Sequence, residues 1–201
     1  SIVGFSDLIM NEDIDEEMRR EFPAEIQKST LLLTGLVNSM LEVANLDVSE
    51  DKLPCGPTDI RNICIQEMEK ISPKPRIKYQ LDITEDTLFI PTNAQYLTMV
   101  IEHLLNNANK FTEEGFIALG YKVNLSKNQI CISVTDSGCG IPKEKQEEVF
   151  NRFSKLDTFV PGNGLGLYLC RLIVKRLDGE IKIDPEYTDG TRVVVNLPMN
   201  E

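Results

Sequence analysis

The sequence predicts an α+β chain, a two-layer α/β sandwich preceded by a partial helical hairpin. Three observations carry that prediction. Apolar residues recur at three- and four-residue steps across 16–46. From Thr58 onward, short stretches of apolar/polar alternation are interleaved with helical patterns. Two glycine-rich turns, Ser137-Gly138-Cys139-Gly140 and Gly162-Asn163-Gly164-Leu165-Gly166, sit at junctions between such elements.

Taken in order, residues 1–11 read as the end of a helix, and 11–15 as an acidic turn. Met18, Phe22, Ile26, Leu33, Leu36 or Val37, Met40 and Val43 or Ala44 then form one apolar seam, with Glu16, Glu17, Arg19, Arg20, Glu25 and Lys28 on the wet side. Leu31-Leu32-Leu33 widens the stripe, as expected of a helix covered on more than one side. The acidic, proline-containing stretch after Asp47 is a linker, assigned to 51–57, between a unit at 1–50 and a unit at 58–201. Asp59 is placed to cap a helix running to about Lys70, and Ser72-Pro73-Lys74-Pro75 breaks it. Ile77, Tyr79, Leu81 and Ile83 alternate as a strand, and Leu88-Phe89-Ile90-Pro91 is a short one. Asn93 caps the next helix, which carries Leu97, Val100, Ile101, Leu104 and Leu105. Strands follow at 116–123 and 129–135, a short helix at 143–152, a helix at 166–177, and closing strands at 180–184 and 191–197. The order fits a mixed sheet covered by helices on one face.

The 201 residues are 41% hydrophobic, enough for a medium domain and an accessory unit. The formal net charge of −11 argues against a nucleic-acid partner. Five cysteines and one histidine, with no Cys-x-x-Cys pair, argue against a zinc site and a disulfide framework, and for reduced thiols in a cytoplasmic setting. No apolar run is long enough to span a membrane, so no membrane contact is expected. The chain opens at Ser1 inside a helical pattern, which reads as a fragment of a longer protein.

Chemistry concentrates in four motifs. Asp136-Ser137-Gly138-Cys139-Gly140-Ile141-Pro142 places a carboxylate after an apolar strand and before a flexible turn. A carboxylate only accepts hydrogen bonds, which suits the exocyclic amine of adenine, and Gly138 and Gly140 let backbone approach a base. Gly162, Gly164, Leu165, Gly166 and Leu167 open a helix whose exposed amides and dipole favour phosphate. Neither turn is followed by Gly-Lys-Ser/Thr, so this is not a Walker loop. Upstream, His103-Leu-Leu-Asn-Asn107-Ala-Asn-Lys110-Phe111-Thr112 puts His103 and Asn107 four residues apart on one helix face, with Lys110 following. Between the turns lies Phe150-Asn-Arg152-Phe153-Ser-Lys155. Each motif alone has a plain reading: a solvated polar helix face, an ordinary Asp-Gly turn, core phenylalanines beside solvated charges, a glycine-rich helix start.

Together, in this order, they resemble the ATP-binding domain of sensor histidine kinases, the Bergerat-type fold shared more loosely with gyrase, Hsp90 and MutL. The resemblance implies ATP and Mg²⁺ as cofactors, with Asn107 as metal ligand. It implies a catalytic set of Asn107, Lys110 and His103, with Phe111 beside the adenine or ribose. Asp136, Gly138, Gly140 and Ile141 would meet the base, and Arg152 and Lys155 the phosphates. Residues 154–163 would be a short mobile lid ahead of the second turn, and Thr191 a hydroxyl near the adenine pocket. His103 is equally compatible with an ordinary helix histidine. The water-attacking ATPases of the wider group place glutamate at its position.

The family's acceptor histidine lies in a first hairpin helix, in a box that the resemblance places just before Ser1; nucleotide binding without self-phosphorylation at that site is therefore expected. A response-regulator receiver domain is the implied recipient, and a homodimer through the helical hairpin, weakened by truncation, the implied assembly. Two other readings stay open: a water-attacking ATPase of the same superfamily, and a non-enzymatic nucleotide-sensing dimer module.

Overall fold

The computed structural model describes residues 16–48, 53–84, 86–154 and 164–199. Helix α1 spans Glu16–Val48, strand β1 Gly56–Asp59 and helix α2 Ile60–Lys70. Strands β2 (Ile77–Asp82) and β3 (Phe89–Thr92) precede helix α3 (Ala94–Phe111). Strands β4 (Gly115–Asn124) and β5 (Gln129–Asp136) form a hairpin, followed by two single 3₁₀ turns, helix α4 (Gly166–Arg176), β6 (Glu180–Ile183) and β7 (Thr191–Pro198). The first helix expected at 1–11, the partner of α1 in a hairpin, lies outside the described residues.

The main sheet has the order β2-β4-β5-β7-β6, with β2 parallel to β4 and the other neighbours antiparallel. Its register puts Ile117, Leu119 and Tyr121 of β4, Ile130, Ile132 and Val134 of β5, and Val193, Val195 and Leu197 of β7 on one face, all buried. The alternate residues Cys131, Ser133, Val194 and Asn196 are only half-buried, as expected of a sheet covered on one side. Against the covered face pack Leu97, Val100, Ile101, Leu104 and Leu105 of α3 and Leu169, Cys170, Ile173 and Val174 of α4. Burying each large apolar side chain stabilises the fold by about 1.5–3 kcal/mol, so this layer holds the elements that carry the functional motifs.

Both expected caps are present. Asp59 Oδ1 accepts from Asn62 N at 3.0 Å, and Asn93 Oδ1 from Tyr96 N at 3.1 Å. Asn93 also donates from Nδ2 to Pro54 O at 2.7 Å.

Three expectations need correcting. Gly56 and Pro57, read as linker, belong to β1, which pairs antiparallel with β3 in a separate two-stranded ribbon. Proline is tolerated there because a two-stranded ribbon has only edges, and Thr58 Oγ1 adds a bond to Thr92 O at 3.0 Å. The helix expected at 143–152 is instead two 3₁₀ turns, Lys143–Lys145 and Glu148–Phe150. Its only buried residues, Val149 and Phe150, are adjacent, so no stripe of 3.6-residue period exists to hold an α-helix against the core. The seam of α1 is divided. Val43 and Leu46 are buried with the core, whereas Leu33, Val37, Met40 and Leu41 are exposed. Arg176 of α4 donates to Leu46 O, fixing the end of α1 on the 58–201 unit.

Candidate nucleotide-binding site

Asp136 ends β5 and is 6% exposed. Its Oδ1 accepts from Gly138 N at 2.9 Å and from Thr191 N at 3.3 Å. Among the described residues no hydrogen bond falls on Oδ2, which leaves an acceptor for an outside donor. Burial pushes this carboxyl above the usual carboxylate range, and the two amide bonds partly pull it back. Thr191 faces Asp136 across the β5–β7 ladder, and its amide, rather than the hydroxyl singled out in the sequence, makes the recorded contact.

Two residues that the motifs did not reveal buttress Asp136 from behind. Tyr187 Oη donates to Asp136 O at 3.2 Å. Gly190, at φ 144°, packs so closely that a Cβ there would lie 2.1 Å from the same oxygen. The Asp189-Gly190 pair was visible as a turn ahead of β7, but nothing marked Tyr187. Gly138 is required for a related reason: a Cβ on it would lie 2.4 Å from Phe111 O. The turn after Asp136 therefore rests directly on the end of α3. Ile141 is half-buried against the core and its carbonyl accepts from Gln146 Nε2 at 3.3 Å.

Helix α3 presents His103 and Asn107, both half-buried, and Lys110, exposed, along one side. Lys110 Nζ lies 4.8 Å from the centroid of the Phe111 ring, which is 39% exposed. His103 Nδ1 is 3.8 Å from where a Cβ on Gly166 would stand, so α3 and the start of α4 meet at this histidine. Burial holds the His103 pKa below its ordinary value against the opposing pull of Glu102 and Glu42, and the imidazole is neutral at pH 7.

Gly164 has φ 69°, and a Cβ there would lie 2.7 Å from Phe153 C, which joins the second glycine turn to the Phe150–Phe153 motif. The N-cap of α4 is Leu165, which provides no side-chain cap, and no acidic residue sits in the first turn. Amides at such a helix start are suited to an anion. Leu165 itself is buried at 2% exposure, and Leu167 packs on the core. Arg152 stacks 4.9 Å from the Tyr168 ring centroid. With Phe153, Leu165 and Met40, Val43 and Ala44 of α1, it lines a cavity of about 240 Å³. Lys155 and Gly162 lie outside the described residues. The motifs thus form one connected arc: Thr191 to Asp136, Gly138 to Phe111, His103 to Gly166, and Gly164 to Phe153.

Residues 92–201 match the family described as histidine kinase-, DNA gyrase B-, and HSP90-like ATPase, more than half of the 201-residue chain. The chain belongs to that family.

Within the family, its named relatives are sensor kinases. Sensor protein EvgS of Escherichia coli O157:H7 is 27% identical over 209 residues, covering 99% of this chain and 17% of EvgS. Adaptive-response sensory kinase SasA of Synechocystis sp. is 28% identical over 203 residues, covering 96% of this chain and 52% of SasA. The chain therefore spans only part of the relatives it matches. Among solved structures, full-length ShkA in complex with AMPPNP superimposes with a TM-score of 0.76 at 25% identity, over 98% of this chain and 42% of ShkA. Acinetobacter baumannii AdeS, at TM-score 0.73 and 17% identity over 100% of this chain and 94% of AdeS, shares the fold. The chain is a histidine-kinase-type ATP-binding domain of the Bergerat fold, preceded by a long helix. Among the described residues no helix is long and apolar enough to cross a membrane.

Proposed function

We propose that this chain is the kinase portion of a cytoplasmic sensor histidine kinase that binds Mg-ATP and transfers the γ-phosphate to a histidine, for relay to a response-regulator aspartate. The observation that carries the reading is Asp136. One carboxylate oxygen is fully engaged by two backbone amides and the other is left for a donor, on an arc that ends at an uncapped helix start. An adenine amine completes the first, and phosphates suit the second. The nucleotide bound to ShkA, the sensory-kinase name of SasA and the sensor name of EvgS support the same reading.

The donor set fits Mg-ATP. Among the described residues no group of three or more His, Cys, Asp or Glu could hold a metal by itself. A single amide oxygen, Asn107, is therefore a ligand of the kind that a metal carried on phosphates requires. Mg-ATP supplies the phosphoryl group, its charge partly neutralised by the ion. Asp136 selects the base, Gly138 and Gly140 shape the wall beside it, and Phe111 flanks it. Lys110 offers a point charge to the phosphates, and the amides of Gly164, Leu165, Gly166 and Leu167 cradle them. Arg152, Lys155 and Gly162 are assigned to the phosphates by their places in the motifs at 150–155 and 162–167. His103, neutral and beside Gly166, orients groups near the metal. It is the chain's one histidine and sits in the nucleotide site, so the acceptor imidazole is assigned elsewhere, on the helical hairpin. Dimerisation through α1 would present that hairpin, with a receiver domain as the recipient.

Calorimetry with a non-hydrolysable ATP analogue, with and without Mg²⁺, tests the assignment. Micromolar, Mg²⁺-enhanced binding that is lost in Asn107→Ala and Asp136→Ala is the expected result. Binding indifferent to both substitutions would overturn it.

A further inference from the structure

The Ser72-Pro73-Lys74-Pro75 break is more than an interruption between α2 and β2. Its backbone and the Lys74 side chain close on the last turn of α3. Lys74 Nζ donates to Thr112 O at 2.9 Å and also to Asn109 O, two carbonyls at the helix end. Lys74 N donates to Tyr79 Oη at 3.0 Å, and that hydroxyl donates in turn to Asn109 Oδ1 at 2.8 Å. Asn109 Nδ2 returns a bond to Ser72 O at 3.2 Å. Every polar atom of the Asn109 side chain is thus engaged with the 72–79 segment. The bonds form a closed circuit between two parts of the chain separated by 30 to 38 residues.

The position of that circuit gives it meaning. Asn109 stands between Asn107 and Lys110 in sequence, and the same helical turn ends at Phe111, whose carbonyl supports Gly138. Frayed helix ends are the usual outcome where the last carbonyls lack partners. Here an ammonium group satisfies two of them and also offsets the negative pole of the helix dipole, next to where anionic phosphates would lie. Moving this turn would displace Asn107 and Lys110, whereas Asp136 is held separately by the β5–β7 ladder and the amides of Gly138 and Thr191.

We propose that Lys74, Tyr79 and Asn109 are positioning residues for the magnesium–phosphate half of the nucleotide site, acting through the last turn of α3. The inference rests on the nucleotide reading above and extends it to residues outside the four motifs. None of the three touches the ligand; each sets where Asn107 and Lys110 stand.

The test compares wild type, Tyr79→Phe, Lys74→Met and Lys74→Arg with three readouts. Calorimetry with Mg-AMPPNP reports the whole site, and calorimetry with adenosine reports the base pocket alone. Hydrogen exchange at the Thr112 amide, bonded to Ala108 O at 3.0 Å, reports the helix end without any ligand. Removing the Tyr79 hydroxyl breaks its bonds with Lys74 N and Asn109 Oδ1 and is expected to weaken Mg-AMPPNP about fivefold, equivalent to about 1 kcal/mol. Adenosine affinity should stay unchanged and Thr112 exchange should accelerate. Lys74→Met should do more, and Lys74→Arg should restore most of the loss. Equal losses for Mg-AMPPNP and adenosine would mark a merely structural role and overturn the proposal. So would unchanged Mg-AMPPNP affinity in both Tyr79→Phe and Lys74→Met. Failure of the nucleotide reading looks different: wild type itself would show no Mg²⁺-dependent binding, and the clamp's assigned role would fall with it.

Discussion

Replacing Asp136 by asparagine separates recognition from stability. The asparagine oxygen can still accept from Gly138 N and Thr191 N, as Asp136 Oδ1 does at 2.9 and 3.3 Å. What changes is the other atom: the free acceptor becomes an NH₂ donor that faces the donating amine of adenine. A hydrogen bond to a charged acceptor is worth about 1.5–3 kcal/mol. Its loss therefore weakens ATP-analogue binding by about 10- to 150-fold. Guanine presents an acceptor, O6, where adenine presents its amine, so binding of a GTP analogue should rise relative to ATP. Stability should move the other way. The folded pKa of Asp136 lies above its ordinary value, chiefly through burial. Its contribution to folding is thus present below the ordinary carboxylate pKa and is lost as pH rises through the raised one. At neutral pH the carboxylate opposes folding, and asparagine removes that opposition. Calorimetry with both nucleotides and thermal unfolding at pH 7 check the pair of expectations. Unchanged ATP affinity would refute the base-recognition argument. A lower unfolding midpoint would refute the electrostatic one.

Gly138→Ala forces a Cβ to within 2.4 Å of Phe111 O, and backbone cannot yield cheaply; a loss of about 1–3 kcal/mol by urea unfolding is expected, together with weaker nucleotide binding. His103 is buried neutral with a lowered pKa, so its contribution is present above the ordinary value of 6.5 and is lost as pH falls through the lowered one. His103→Gln should accordingly flatten the acid side of the stability profile, measured by chemical unfolding between pH 7 and 5. Leu33, Val37 and Leu41 are 53%, 47% and 58% exposed at four-residue steps along α1. If that face seats a second copy, Leu41→Asp should shift the sedimentation velocity profile from dimer toward monomer while leaving adenosine binding intact.

Local chemistry made much of this fold legible. Asp59 and Asn93 cap the helices they were expected to cap, because N-cap preference is set by atoms within three residues. The alternation in β5 and β7 was readable because much of one sheet face is only half-covered, whereas β4 is buried continuously from Ile117 to Tyr121. What stayed hidden depended on partners remote in sequence. Gly56-Pro57 read as a break because β3, its partner, is more than thirty residues away. Strong helix formers at 143–152 suggested a helix that the absence of an apolar stripe does not sustain. Among the proposed site residues, motif spacing marked Asp136 and its glycines. Tyr187, Lys74 and Tyr79 act through hydroxyl and ammonium contacts that no local pattern announces. Leu165 was marked by its place in the glycine turn, but the burial of its side chain was not legible there.

The β1–β3 ribbon has a geometric consequence for any rearrangement between α1 and the nucleotide-binding unit. Asn93 caps α3 and grips Pro54 O, and β1 begins two residues later, so the chain is stapled to the unit from Pro54 onward. Val48, the end of α1, is six residue steps from Pro54, so the two never stand more than about 20 Å apart. That length draws a sphere around the end of α1, and the cap of α3 stays tied to it unless the bond from Asn93 to Pro54 opens. Inserting residues between Val48 and Pro54 would enlarge the sphere without touching a single atom of the nucleotide site.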